Sequence, residues 1–222
     1  PLVAEQDFWP VTEKISVTNP IGSVSITGNG TRLFNPHVRV EKSVQTYSFL
    51  GLANPVNYVD NVEVFQGINE GTLNVGVSLK QLPFLERLFV KVSPKIDFVL
   101  ETPVALDTDV NVDIGNVALQ NLVGNINATV DIGELSVTSS LGVFGSQVFD
   151  VNIGRLDILL PADMPLFYDM ETNMGSIESS GFNAEVEWRL LGARTTGVSG
   201  TTVMPSSVKG RVNIGNISFK GE

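Results

Sequence analysis

Aliphatic and polar residues alternate along much of this chain, and glycine punctuates the alternation at fixed places. Nearly the same six residues recur as VDIGNV (112–117), VDIGEL (130–135) and VNIGRL (151–156). Aligned on the glycine, the pattern extends over Gly115, Gly133, Gly154, Gly175 and Gly215. Ile114, Ile132, Ile153, Met174 and Ile214 precede them, and Val117, Leu135, Leu156, Ile177 and Ile217 stand two residues after. Asp113, Asp131, Asn152, Asn173 and Asn213 stand two residues before. The intervals are 18, 21, 21 and 40 residues, the last close to two periods. A period near ~20 residues with apolar residues at alternate positions predicts short strands stacked coil on coil, bending at each glycine. Equivalent side chains then form ladders ~4.8 Å apart, with the aliphatic ladders expected to point inward.

Two longer stretches, 98–119 and 157–178, read as strand, proline, polar step, strand, glycine, strand. Pro103 and Pro161 are expected at strand ends, because proline cannot donate to a ladder. Residues 181–210 break the period and read as a looser coil or an excursion. In the first hundred residues, NPIGSVSITG (19–28) repeats the motif, with Val24 and Ile26 inward. Segment 62–77 predicts a hairpin closed by Asn69–Gly71, and 87–100 predicts another turning at Ser93–Lys95. No segment carries a 3.6-residue period. The expected fold is all-β: a single-domain β-solenoid whose residues 1–100 form less regular strands and hairpins and whose residues 101–222 form the regular glycine-punctuated coils.

The segments SVTNPIGSVSITG, GTLNV and IGNVAL…VGNI resemble the bacterial putative-adhesin family of repetitive β-domains, related to the toast-rack domains of cell-envelope stress-response proteins. The resemblance runs from about Val11 to Phe219. It implies a right-angled or helical stack of coils, an exported or membrane-tethered protein, and no catalytic residues to carry over.

Composition narrows the partners. The 222 residues are 42% hydrophobic and 17% charged, with no cysteine, which rules out disulfides and thiolate metal sites. The net charge of -10 is concentrated in residues 101–222, which hold 6 basic and 15 acidic side chains. Such a surface repels nucleic acid and anionic lipid. No apolar run reaches the ~18 residues of a membrane span. The chain begins at Pro1 rather than Met, which reads as a processed or trimmed product and leaves room for an upstream signal or anchor that was removed.

Candidate chemistry is sparse. His37 is the only histidine and lacks a nucleophile elbow, so it reads as an ordinary strand residue. Asp113 and Asp131 fall on neighbouring coils, a spacing that suits paired carboxylates in glycosidases or weak Ca²⁺ binding. Because the same column continues as asparagine, it reads first as a ladder of turns. Asn127-Ala128-Thr129 and Asn216-Ile217-Ser218 have the spacing of glycosylation acceptors. Phe8, Trp9, Tyr47, Phe49, Tyr58, Phe167, Tyr168 and Trp188 could stack sugars, though aromatics more often cap the ends of such a stack. EWRLLG (187–192) sets Leu190 and Leu191 beside charges and reads as an exposed contact patch. No catalytic residue, cofactor site or metal site is assigned. The expectation is a non-enzymatic module of the cell envelope, extracytoplasmic or secreted, with a protein or polysaccharide surface partner. Two alternatives stand beside it: a sensor or regulatory domain that self-associates through open β edges, and a carbohydrate-active enzyme using clustered carboxylates.

Overall fold

The computed structural model describes residues 2–8, 13–30, 35–48, 62–80, 90–182, 184–200 and 206–222. Every described regular element is a strand, and together they form one large sheet. Strands β8 (Asp107–Gln120), β9 (Ile126–Thr138), β10 (Ser146–Leu160), β11 (Leu166–Ser180) and β14 (Ser206–Gly221) lie parallel. Their glycines stand in register, Gly115 beside Gly133, Gly133 beside Gly154, Gly154 beside Gly215 and Gly215 beside Gly175. Strands β2 (Lys14–Ile21) and β3 (Val24–Gly28) continue the array, both pairing parallel with β8.

Within the parallel array of β8, β9, β10, β11 and β14, spatial order departs from chain order at one point. The last strand, β14, is inserted between β10 and β11, so the sheet runs β8-β9-β10-β14-β11. The 40-residue interval is thus filled by the excursion: β12 (Glu187–Trp188) and β13 (Ala193–Ser199) pair antiparallel outside β11 before the chain returns.

The glycine column follows from backbone crowding. Gly133 has φ +149, and a Cβ there would overlap the carbonyl oxygen of Gly115 outright. The same clash recurs from Gly115 against Gly22 to Gly175 against Gly215. Only glycine lets the bends of successive strands nest at strand spacing. On either side of the bend, Val112, Val130 and Val151, and then Val117, Leu135 and Leu156, are buried in one continuous core. Each such side chain contributes ~1.5–3 kcal/mol by leaving water.

One inward assignment is corrected. Ile114, Ile132, Ile153, Ile214 and Met174 face solvent, each 42–49% exposed. In β8 the buried positions are even-numbered through Val112 and odd-numbered from Val117, so alternation changes phase at the bend. The residue before glycine falls on the outside of that corner.

In the first hundred residues the 62–77 hairpin forms as β5 (Val62–Asn69) and β6 (Thr72–Leu79), turning through Glu70 and Gly71 at positive φ. The hairpin expected at Ser93–Lys95 does not form. Residues 90–102 are one strand, β7, lying antiparallel to β4 (His37–Ser48) with Pro94 opposite Val44. Proline fits there because β3 pairs with β7 only from Phe98 onward, leaving the amide position of Pro94 without a ladder partner on that side. Strand β1 (Leu2–Asp7) pairs with β4 at one end of the sheet. Pro103 and Pro161 follow directly on the ends of β7 and β10.

Candidate interaction surface

The phase change at the glycines builds a solvent-exposed column of Ile114, Ile132, Ile153, Ile214 and Met174 across the sheet, with the half-buried Ile21 beside Ile114 at its end. It continues onto the excursion. The Gly175 amide donates to the Leu191 carbonyl (2.9 Å), as the Gly22 amide donates to the Ile114 carbonyl (3.0 Å). Leu191 therefore takes the place of one more isoleucine, and Gly192 follows it against the Thr172 carbonyl. Leu190 is 97% exposed and Trp188 68%, so the EWRLLG segment is an apolar knob at one end of the column. Arg189 is tied to Glu171 (2.6 Å), which anchors the base of that knob.

At the other end the β4–β7 arm stands over the first bend. Ile21, Ile114, Ser43, Pro94 and Lys95 line a depression of about 400 Å³ there. Asp97 fixes this corner by accepting from the Ser23 amide (2.8 Å) and hydroxyl and pairing with Lys95 (2.9 Å). Burial alone would raise its pKa, but the Ser23 and Lys95 contacts prevail and hold it below the usual aspartate value.

The column two residues before the glycines has two chemistries. The Asn173 amide donates to Asn213 (2.9 Å) and the Asn213 amide to Asn152 (3.0 Å), a ladder in spatial rather than chain order. Beyond Asn152 come Asp131 and Asp113, exposed and on adjacent strands. They lie on the outside of the bend rather than in a cleft, and among the described residues no three His, Asp or Glu side chains converge as a metal site. A similar column one residue after the glycines ties strands further. Asn116 accepts from the Glu134 amide (3.2 Å), and Asn216 from the Ser176 amide (3.1 Å) and hydroxyl (2.8 Å).

His37 sits in β4 and its Nδ1 lies 3.0 Å from Asp7, its register partner in β1. It pins an end strand. Among the described aromatics, Tyr168 is fully buried against Phe182 and Phe219, whereas Phe167 faces outward at 40% exposure. Burial raises the Tyr168 phenol pKa. Phe8 is buried, Trp9, Phe49 and Tyr58 lie outside the described residues, and so does the Tyr47 side chain. Sequence reading missed Phe65 in β5, 50% exposed, and the pair at the β9–β10 turn, Phe144 at 66% and Leu141 at 56%. An apolar pair in the glycine-flanked segment SLGVFG (140–145) is the signal that could have found the latter. A wider cleft of about 760 Å³ runs between β1–β4 and the β5–β6 hairpin, lined by Val3, Val40, Val62 and Phe65. Its two lysines are engaged, Lys42 with the Val62 carbonyl (2.8 Å) and Lys80 with Glu63.

No family model matches this chain, and no curated protein matches it. Among solved structures, a putative cell adhesion protein from Clostridium sporogenes aligns over 100% of both chains at TM-score 0.64 and 12% identity. A putative adhesin from Bacteroides fragilis aligns over 98% of this chain and 96% of its own at 14% identity, with TM-score 0.27. One from Parabacteroides merdae aligns over 96% and 95% at 9% identity, with TM-score 0.24. The likeness to the clostridial protein is one of fold, and the other two scores carry no argument. The name of the clostridial protein agrees with the adhesin-like resemblance read from residues 11–219.

Proposed function

We propose that this chain, which shares its fold with a putative cell adhesion protein, is a non-enzymatic, adhesin-like module of the bacterial cell envelope. In this reading it is extracytoplasmic, folds as one continuous domain, and works by holding exposed contact groups on a rigid stack of β-coils. The observation that supports the reading best is the concentration of apolar exposure at strand turns and corners. Phe144, Leu141, Trp188 and Leu190 project from a register-locked scaffold, and polar, rigid frames carrying a few exposed aromatic anchors suit recognition of a surface partner. Asp113 and Asp131, the carboxylates a cleavage reading would use, are exposed at the bend, which favours binding over polysaccharide cleavage.

The test is adhesion of the purified chain to intact bacterial cells and to extracellular matrix. Phe144→Ser and Trp188→Ala both change exposed side chains and leave the core intact. Each is expected to lower retention several-fold, as loss of an interfacial aromatic anchor does. Retention unchanged in both variants, or no retention of the parent chain, overturns the reading.

A further inference from the structure

The exposed isoleucine column is a self-complementary surface. It runs ~24 Å over five strand spacings from Ile21 to Met174, with the Leu190 knob at one end and the 400 Å³ depression at the other. We propose that two copies of this chain dock column against column in opposite directions, about a two-fold axis passing near Ile153.

Three features of the surface select a second copy, and select the reversed direction. Reversal puts the Leu190–Leu191 knob of each copy over the depression of the other, so both features are used twice. It also sorts the polar flank. The acidic half of the column, Asp113 and Asp131, comes to face the amide half, Asn173 and Asn213. Parallel docking about an axis along the column would instead lay that flank over the residues that follow the glycines, setting Asp131 against Glu134 of the second copy. At the centre, Arg155 is already neutralised by Asp157 (2.8 Å), so its approach to the partner's copy carries no bare charge. The area fits as well. Half-exposed aliphatics along the column together with Trp188, Leu190 and Leu191 offer on the order of the ~800 Å² per partner that a standard interface buries. This contact is distinct from strand addition at the sheet edges. There β12 spans only Glu187–Trp188, and β13 is paired by it only at Ala193 and Arg194.

Light scattering with sedimentation on the whole chain, from about 1 µM to about 500 µM, reads the association directly. The mass is expected to rise from 23.9 kDa toward twice that value. Leu190→Asp cannot unfold the chain, since Leu190 is almost wholly in solvent, and is expected to weaken dimerisation at least ~10-fold. The chain has no cysteine, so single substitutions locate the contact. Ile153→Cys, at the axis, is expected to form a disulfide-linked dimer under a mild oxidant, and Val198→Cys on β13 is not. A constant monomer mass overturns the proposal. So does cross-linking through Val198→Cys but not Ile153→Cys, which would mean edge pairing. Binding of the parent chain to phosphatidylcholine vesicles, abolished by Leu190→Asp without any dimer, would mean a membrane-facing column and overturns it too.

Discussion

The two halves of the sheet solve one problem differently. In β8, β9, β10, β11 and β14, each strand is long, bends once at a glycine, and carries its neighbours in parallel register. Among the described residues of the first half the bend occurs once, at Gly22, where β2 ends and β3 begins. From there the chain turns to antiparallel pairs, β4 with β7 and β5 with β6. What separates the halves is whether backbone meets backbone at the corner. Where strands nest, side chains are excluded from the contact and the residue type is dictated. In the β5–β6 ribbon a glycine meets no neighbouring backbone: a Cβ at Gly76 would meet only the Phe65 ring. A Cβ added at Gly67 in β5 would have nothing within 4 Å, whereas one at Gly133 would strike the Gly115 carbonyl.

The largest expected effect breaks that contrast directly. Gly133→Ala forces a methyl into a neighbouring carbonyl at a φ of +149 and should cost more than ~4 kcal/mol, enough to unfold a domain of ordinary stability. Gly67→Ala should stay within ~0.5 kcal/mol of the parent, because it only limits the unfolded chain. Paired urea titrations measure both. Equal losses at the two positions would mean that the column is not the organising contact.

A smaller effect lies at the seam between the halves. Asp97 on β7 holds Ser23 just past the Gly22 bend, and its carboxyl is held below the usual aspartate value. Its charged form is favoured by folding, so its stabilisation is complete above the unfolded value of 3.8 and is lost as pH falls through the lowered folded value. Asp97→Asn should cost ~1–3 kcal/mol at neutral pH. The gap to the parent should close as the medium is acidified below pH 3.8. A gap independent of pH would assign the loss to packing rather than charge.

Particular residues show which parts of this architecture are readable from sequence. The glycine column, the inward Val and Leu ladders and the Glu70–Gly71 turn are legible, because each is local: a period of two, a fixed spacing, a turn that needs positive φ. The place of β14 is not, since the order of parallel strands is decided by which gap the returning chain fills, and no residue of SSVKGRVNIGNISFKG marks that gap. Pro94 misleads because a proline beside a serine reads as a turn, and its tolerance in β7 depends on where β3 stops. The isoleucines read as inward when alternation is carried straight through the glycine, whereas the bend shifts its phase. That one residue type holds the candidate surface. The Trp188–Leu191 patch is legible for a simpler reason, as two leucines between charges with no place in the period.

One ladder position in the regular half carries an unmet cost. Leu119, Val137, Ile158 and Phe219 fill the column four residues after the glycines, and Ser179 ends it. The Ser179 hydroxyl is buried without a hydrogen-bond partner. Ser179→Val removes an unsatisfied polar group and adds apolar surface to the ladder, so it should stabilise by ~1 kcal/mol. Thermal unfolding should show a higher midpoint. A lower one would mean that the column has no room for a branched side chain at β11.

The smallest effect tests the polar flank alone. Asp113 and Asp131 stand on adjacent strands as like charges, a placement that destabilises a cross-strand pair by a few tenths of a kcal/mol to ~1 kcal/mol. The neighbouring Asn152, Asn213 and Asn173 show what the same position does with amides, each linked to the next at 2.9–3.0 Å. Asp131→Asn extends that ladder by one strand and lets the introduced amide donate to the Asp113 carboxylate. It should stabilise the chain by ~0.5 kcal/mol at low salt. The repulsive part of that gain should fade near 1 M salt, where screening acts within ~3 Å, and the hydrogen-bonded part should remain. A gain that vanishes wholly with salt would reduce the effect to charge. Destabilisation by the same substitution would show instead that the two carboxylates are held together by a bound cation, and would move this flank from scaffold to binding site.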